Sequence, residues 1–314
     1  MKALLPLLLA LTLGATSLKA QQTAEKFVLE TKYLLALPEG YGKDTSQRWP
    51  LVIFLHGAGE TGLDLNKVKM HGPPKLVEAG KNFPFILVSP QTASFGWQPD
   101  VLYQLLQSLK KQYRVDNDRI YLTGLSMGGF GTWALGMKHP EEFAAIAPIC
   151  GGGDTANIWR LRYTPVWCFH GAKDEVVPLT SSQKMVNALK QYNSNVQFTI
   201  YPEAAHDSWT ATYDDPAFYT WLLAQRKHRF QPVKVDAKTL AGYNGRYTNR
   251  KNDTLTITSN GTSLDVKAPG HTLQLKAASP TVFYWEASAP IDVEFTKTGF
   301  VLRAEEREVF RKIK

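Results

Sequence analysis

The chain has 314 residues, of which 44% are apolar and 20% charged, with a formal net charge of +8. This balance excludes a disordered, collagenous or coiled-coil protein, and the length suffices for one large hydrophobic core and a smaller second one. Two cysteines exclude a disulfide-stapled scaffold and a four-cysteine metal centre.

At the N-terminus, Lys2 precedes an apolar run from Ala3 to Leu13, and small residues follow up to Ala20. This is the layout of a secretory signal peptide over residues 1–20, too short and wrongly flanked for a stable membrane span. Cleavage after Ala20 and export to the periplasm or the medium are expected. Cleavage removes Lys2 and Lys19 and no acid, leaving 34 bases against 28 acids. Those bases are scattered, without the clustering on one face that a nucleic-acid partner requires. No later segment reaches the roughly 18 apolar residues of a membrane span. Neither a nucleic-acid partner nor a transmembrane chain is expected.

Residues 21–230 alternate strand-like and helix-length patterns. Predicted strands are Tyr33–Leu37, Leu51–Leu55, Phe85–Val88, Ile120–Thr123, Ala144–Ile149, Val166–Phe169 and Val196–Tyr201. Several are nearly continuous apolar runs, as in strands buried on both faces. Predicted helices are Val101–Tyr113, Gly129–Lys138, Ser181–Tyr192 and Ala217–Arg226. The alternation implies a mostly parallel sheet with helices on both sides, and Tyr33–Leu37 suits an antiparallel edge.

The pattern changes at a polar link, residues 231–238. Residues 239–314 show short alternating segments: Leu255/Ile257, Leu264/Val266, Leu273/Leu275, Phe283/Trp285, Ile291/Val293/Phe295 and Phe300/Leu302. Asn260-Gly261 supplies a hairpin turn. A small antiparallel all-β domain without helices is expected.

The chemistry concentrates at Gly124-Leu-Ser126-Met-Gly128, between a predicted strand and a predicted helix. Glycines at these places permit a tight strand-to-helix turn that lifts the Ser126 hydroxyl above the sheet. A serine needs a base, and the base an orienting acid. Asp174 and then His206 follow, each just beyond a predicted strand, in the order this architecture demands. Ser126 is the expected nucleophile, His206 the base and Asp174 the orienter; Glu175 and Asp207 are rival acids. The oxyanion hole is expected from the amide of Met127 and that of Ala58, with Gly59 as alternative, in the loop after Leu51–Leu55. Gln91, Trp97 and Trp209 are candidates for the substrate pocket. His56 and His170, each before a glycine, read as loop anchors. The remaining histidines show no metal-ligand spacing, so neither a metal nor a cofactor is expected. Cys150 and Cys168 read as buried free thiols.

Residues 24–230 resemble the serine esterases of the α/β-hydrolase fold. The resemblance rests on Phe54-Leu-His-Gly-Ala-Gly-Glu60, Gly124-Leu-Ser-Met-Gly-Gly-Phe-Gly-Thr-Trp133, Ala147-Pro-Ile-Cys-Gly-Gly-Gly153, Phe169-His-Gly-Ala-Lys-Asp174 and Tyr201-Pro-Glu-Ala-Ala-His206. That group includes phospholipase/carboxylesterase-like, dienelactone-hydrolase-like, feruloyl and polyhydroxybutyrate esterase-like enzymes and a branch of peptidases. Ser126 separates the chain from dienelactone hydrolases with a cysteine nucleophile. Leu240-Ala-Gly-Tyr-Asn-Gly-Arg-Tyr247 resembles the opening of the small β domain behind some serine β-lactamase-like hydrolases. The resemblance implies an α/β-hydrolase fold with a mostly parallel central sheet, followed by the antiparallel β domain.

The expected function is an exported serine carboxylic-ester hydrolase, working through a Ser-His-Asp triad and an acyl-enzyme. Its substrate is expected to be a small-molecule or polysaccharide ester, with acetyl or feruloyl esters of plant polysaccharide implied by the resemblance. A serine peptidase with the same triad is the first alternative, separated by activity on amides. A carbohydrate-binding or interaction protein with a vestigial triad is the second, separated by failure of a fluorophosphonate to label the serine. A dimer through the C-terminal domain is among the roles open to that domain.

Overall fold

The computed structural model describes residues 30–313, apart from positions 269, 288 and 290. The expected signal peptide, residues 1–20, lies outside the described residues.

The first part is a seven-stranded sheet. In chain order its strands are β1 (Tyr33–Ala36), β2 (Trp49–Leu55), β3 (Ile86–Pro90), β4 (Val115–Leu125), β5 (Ala145–Ile149), β6 (Val166–Gly171) and β7 (Val196–Tyr201). Their spatial order is β1-β3-β2-β4-β5-β6-β7, parallel except for β1, which runs antiparallel to β3 as the edge. Successive residues of a strand face opposite sides, so one apolar run feeds two cores. Leu51, Ile53 and Leu55 of β2 pack with α2 (Pro99–Gln112), α3 (Met127–Lys138) and α4 (Leu179–Leu189). Val52 and Phe54 pack on the other side with α5 (Trp209–Asp214) and α6 (Pro216–Ala224), where α1 (Gly72–Glu78) also contributes Leu76 and Val77. The expectation of an α/β-hydrolase fold with helices on both faces holds.

The strand order matters for function. From β2 the chain goes outward to β3, then crosses back to β4 on the other side of β2. The loops leaving β2 and β4 therefore diverge at their carboxyl ends and open a crevice, the place where open α/β sheets bind ligands.

The second part is a closed barrel of eight antiparallel strands. They are β8 (Gly245–Thr248), β9 (Thr254–Ser259), β10 (Leu264–Ala268), β11 (His271–Ala277), β12 (Val282–Tyr284), β13 (Asp292–Thr296), β14 (Gly299–Arg303) and β15 (Arg307–Ile313). Each pairs with the next, and β15 pairs back to β8 through Lys312 and Tyr247, so no edge is left unpaired. The Asn260-Gly261 turn forms as expected: the Asn260 carboxamide accepts from the Thr262 and Ser263 amides, and Gly261 adopts a φ of 88°.

Two expectations for this part are corrected. The link and the all-β domain contain a helix, α7 (Ala237–Gly242), capped by Asp236, whose carboxylate accepts from the Thr239 amide. Trp285 is not in a strand beside Phe283; it follows the end of β12 and is 51% exposed.

Candidate active site

The centre is built where β4 ends. Ser126 sits between β4 and α3 with φ 53° and ψ −118°, a conformation that non-glycine residues adopt at a cost of order 1–3 kcal/mol. The surroundings impose it. A Cβ on Gly128 would lie 2.0 Å from the Leu55 carbonyl oxygen, and one on Gly124 2.5 Å from that of Gly128. Both glycines are thus required by the close approach of α3 to the ends of β2 and β4. The Ser126 amide donates to the Ile149 carbonyl, which ties the turn to β5. The serine side chain stays partly exposed.

Two loops complete the hydrogen-bonded chain. Asp174 follows β6, and its Oδ1 accepts from the Val176 and Val177 amides at 2.9 Å each. Its Oδ2 lies 2.8 Å from His206 Nδ1, and His206 Nε2 lies 3.0 Å from Ser126 Oγ. Burial alone would raise the Asp174 pKa. The bonds from His206 and from the two amides outweigh it and hold the carboxyl below its ordinary range. An ionised Asp174 favours the proton on Nδ1, which leaves Nε2 as a hydrogen-bond acceptor facing the Ser126 hydroxyl. The rivals Glu175 and Asp207 are exposed, and Asp207 is occupied in capping Thr210.

One expectation fails here. The sequence reading made serine the sole nucleophilic atom of the centre and left Cys150 outside as a buried thiol. The structure brings Cys150 in: its Sγ, an Asp174 oxygen and a His206 nitrogen lie within 4.8 Å of one another. The description of the centre as a Ser-His-Asp triad alone, and with it the label serine esterase, is too narrow, because a Cys150-His206-Asp174 cluster is assembled at the same place. The cause is tertiary. Cys150 follows the last residue of β5 with φ 39°, and its amide donates to the Phe169 carbonyl of β6, which turns the chain at the carboxyl end of the sheet.

The cysteine has its own constraints. It is fully buried, and burial pushes its thiol up to about 12. A thiolate, not a thiol, attacks carbonyls and binds metals. The same cluster is the one group of potential metal donors among the described residues, where the sequence reading expected none. Its donors are committed elsewhere: Asp174 to His206 and two amides, His206 to Ser126, and the thiol to its protonated form. The cluster therefore fits a metal poorly. Cys150 and Cys168 are both free and buried.

Of the expected oxyanion groups, Met127 follows the serine directly in the chain, and Ala58 lies in the turn that leaves β2, the sheet neighbour of β4. Met127 opens α3, where an α-helix leaves its N–H without an intrahelical acceptor. Ala58 and Gly59 are exposed in the short 3-10 turn after β2. This turn is held by a residue that the sequence reading gave no role: the buried Glu60, whose Oε2 accepts from the Gly57 amide at 2.8 Å. Its signal was the capping-box spacing, a glutamate three residues after Gly57 at the start of the turn. His56 anchors the loop, as expected, through contacts to the Gly57 carbonyl and the Thr92 amide, and burial lowers its pKa and keeps it neutral.

The pocket candidates separate. Gln91 is buried and its amide donates to the Glu60 and Asp64 carbonyls. Trp97 donates to the His56 carbonyl and packs against Gly131. Both support the loop after β2. Trp209 stands edge-on to the His206 ring at 5.1 Å and to His71 at 5.4 Å, so it is in direct contact with the base.

The comparisons agree with this architecture. A model of the dienelactone hydrolase family matches residues 97–223, which contain Ser126, Cys150, Asp174 and His206. The resemblance to dienelactone-hydrolase-like enzymes is thus met, but the expected exclusion of the branch with a cysteine nucleophile does not stand, because the matched span holds Cys150 beside His206 and Asp174. The chain is 25% identical over 171 residues to a probable feruloyl esterase C of Aspergillus terreus, covering 52% of this chain and 62% of that enzyme. It is 32% identical over 121 residues to poly(3-hydroxyalkanoate) depolymerase C of Paucimonas lemoignei, covering 33% and 28%. The match thus spans less than two thirds of either relative. Among solved structures, a thermostable esterase superposes with a TM-score of 0.55 at 32% identity, covering 63% of this chain and 60% of that one. No helix among the described residues is long and apolar enough to cross a membrane. The chain is an α/β-hydrolase-fold protein related to the dienelactone hydrolases, feruloyl esterases and carboxylesterases, with a distinct antiparallel β-barrel at its C-terminal end.

Proposed function

We propose that the protein hydrolyses carboxylic esters, with the His206–Asp174 pair as the proton-transfer machinery. The observation that carries this is the continuous line of contacts from Asp174 Oδ2 through both His206 nitrogens, 2.8 and 3.0 Å long. In the first half-reaction the nucleophile attacks the ester carbonyl carbon while His206 Nε2 takes its proton. The Met127 and Ala58 amides supply hydrogen bonds to the tetrahedral oxygen. His206 then gives its proton to the departing alcohol. In the second half-reaction His206 deprotonates a water, which releases the acid and regenerates the nucleophile.

The atom in hydrogen-bond contact with His206 is Ser126 Oγ, partly exposed on a strained turn, and this supports Ser126 as the attacking residue. The Cys150-His206-Asp174 cluster and the dienelactone family match support a second reading, with Cys150 in that role. Single variants decide between them. With an aryl acetate, Ser126→Ala is expected to lose roughly 10⁶-fold in kcat, and Cys150→Ala to stay within about tenfold of wild type. The reverse ranking transfers the role to the cysteine, and two active single variants would sink both readings. We also propose that the protein is exported, on the composition of residues 1–20; a secreted product beginning at Met1 would contradict cleavage there.

A further inference from the structure

We propose that the C-terminal barrel is a binding site for a small, uncharged apolar ligand, separate from the Ser126 centre. The barrel interior is uneven. At one end it is packed solid: Tyr243 stacks on Phe295 at 3.8 Å, Phe300 stacks on Phe310 at 4.8 Å, and Leu240 of α7 is fully buried among them. Towards the other end, where β10 finishes and β11 begins, the inward positions carry smaller side chains. There Leu255, Val266, Ala268, Leu273 and Leu302 line a cavity of about 170 Å³.

Two independent observations identify this as an open site. By strand register these residues face the same side as the packed core: Val266 pairs with Ile257 and with Leu273, and Val293 pairs with Leu302. Yet these five are only partly buried, whereas Ile257 and Leu264 on the same inner surface are completely buried; Phe283 and Phe300 also line the void and are themselves buried. Inward-facing leucines and valines that keep contact with solvent have an accessible void in front of them. Trp285 stands half-exposed at the rim.

The chemistry of the walls selects the ligand. The one charged lining residue is Asp292, and its two oxygens are already taken by Arg162 and Arg303. No unsatisfied charge is offered to an ionic ligand, and burying one there would be costly. The volume suits one aromatic ring or an alkyl group of similar bulk, since a dry apolar cavity of about 150 Å³ accepts benzene. Eight-stranded barrels have interiors wide enough to hold one small ligand.

Toluene is the probe. Methyl NMR of the full chain, labelled at Ala, Leu and Val, is recorded during a toluene titration. Saturable shifts centred on Leu255, Val266, Ala268, Leu273 and Leu302 are expected. Ala268→Phe, which fills the void, should raise the Kd at least tenfold while the circular dichroism spectrum stays native; Val266→Phe is the second plug. The proposal is overturned by no saturable shift, by shifts centred on residues around Ser126, or by unchanged affinity in a folded plugged variant. If neither plug folds, the wild-type shift map decides alone.

Discussion

Glu60 shows how a residue far from the chemistry in role can stand next to it in space. The residue is 7% exposed, and its carboxyl bonds the Gly57 amide, one residue before Ala58, whose amide is the proposed second oxyanion donor. Without that bond the Gly57 amide loses its side-chain acceptor, and the turn keeps just the contacts to its carbonyls from His56 and Gln91. Glu60→Ala is expected to lower kcat by roughly 10-fold to 100-fold, since losing one oxyanion donor outright costs about 10²–10³. KM should change little, and Glu60→Gln, which keeps an acceptor oxygen, should recover most of the rate. Equal losses in both variants would show that the carboxyl's charge matters, not the tether. Asp174 carries a pH prediction. Its folded pKa lies below the unfolded value, so the folded state binds fewer protons through that window. Its contribution to stability is fully present above the unfolded pKa near 4 and is lost as pH falls through the folded value. Urea unfolding of wild type and Asp174→Asn should therefore differ most at neutral pH and converge as pH falls through the lowered folded value; a gap that widens on acidification would contradict the sign. The serine, aspartate and histidine were legible because each lies in a local phrase ending a strand. Cys150 was not, because its place under His206 depends on the turn after β5 and on the β6 neighbour.

At the scale of the elements, the elbow depends on two helix-to-strand approaches with no room for a side chain. Gly128→Ala places a methyl group against the Leu55 carbonyl, which is backbone and cannot rotate away. The expected loss is roughly 3 kcal/mol of stability, read as a lower urea midpoint, with activity falling even under conditions where the variant is folded. A midpoint equal to wild type would mean that α3 can slide along the sheet. The inner sheet strands were readable because burial on both faces writes a continuous apolar run; β1 and β7, at the two edges, are only partly buried and show as short apolar segments instead. β8 and β15 were harder: β15 reads Arg-Glu-Val-Phe-Arg-Lys-Ile, with just Phe310 fully turned inward, and its exposed face hides the alternation. Closure of the barrel was also not legible, because no local pattern records that β15 finds β8. The six-residue α7 is under two turns long, too short for a periodicity to show.

For the whole molecule, the question is what joins the barrel to the hydrolase part. The densest polar contact is Asp292 of β13, completely buried in its side chain, between Arg162 and Arg303. Arg162 follows the short 3-10 turn Ile158–Leu161 on the hydrolase side, and its Nε donates to Asp292 at 2.8 Å. Around it, Phe230 stacks on Tyr284 at 4.8 Å and Tyr163 on His228 at 4.4 Å. A buried carboxylate between two guanidinium groups stabilises little against an apolar replacement of the whole group, but removing one member leaves uncompensated charge. Asp292→Ala is therefore expected to cost roughly 3–5 kcal/mol. Because the lost contact spans two cores, calorimetry should show the barrel melting ahead of the hydrolase part, where wild type melts in a more unified transition. Ester hydrolysis below the first transition should persist, since Ser126, Asp174 and His206 all lie on the sheet side. The double variant Arg162→Met/Asp292→Leu should regain most of the lost stability. If it proves as unstable as Asp292→Ala, the ion pair itself holds the two parts together, and packing of the aromatic groups beside it is secondary.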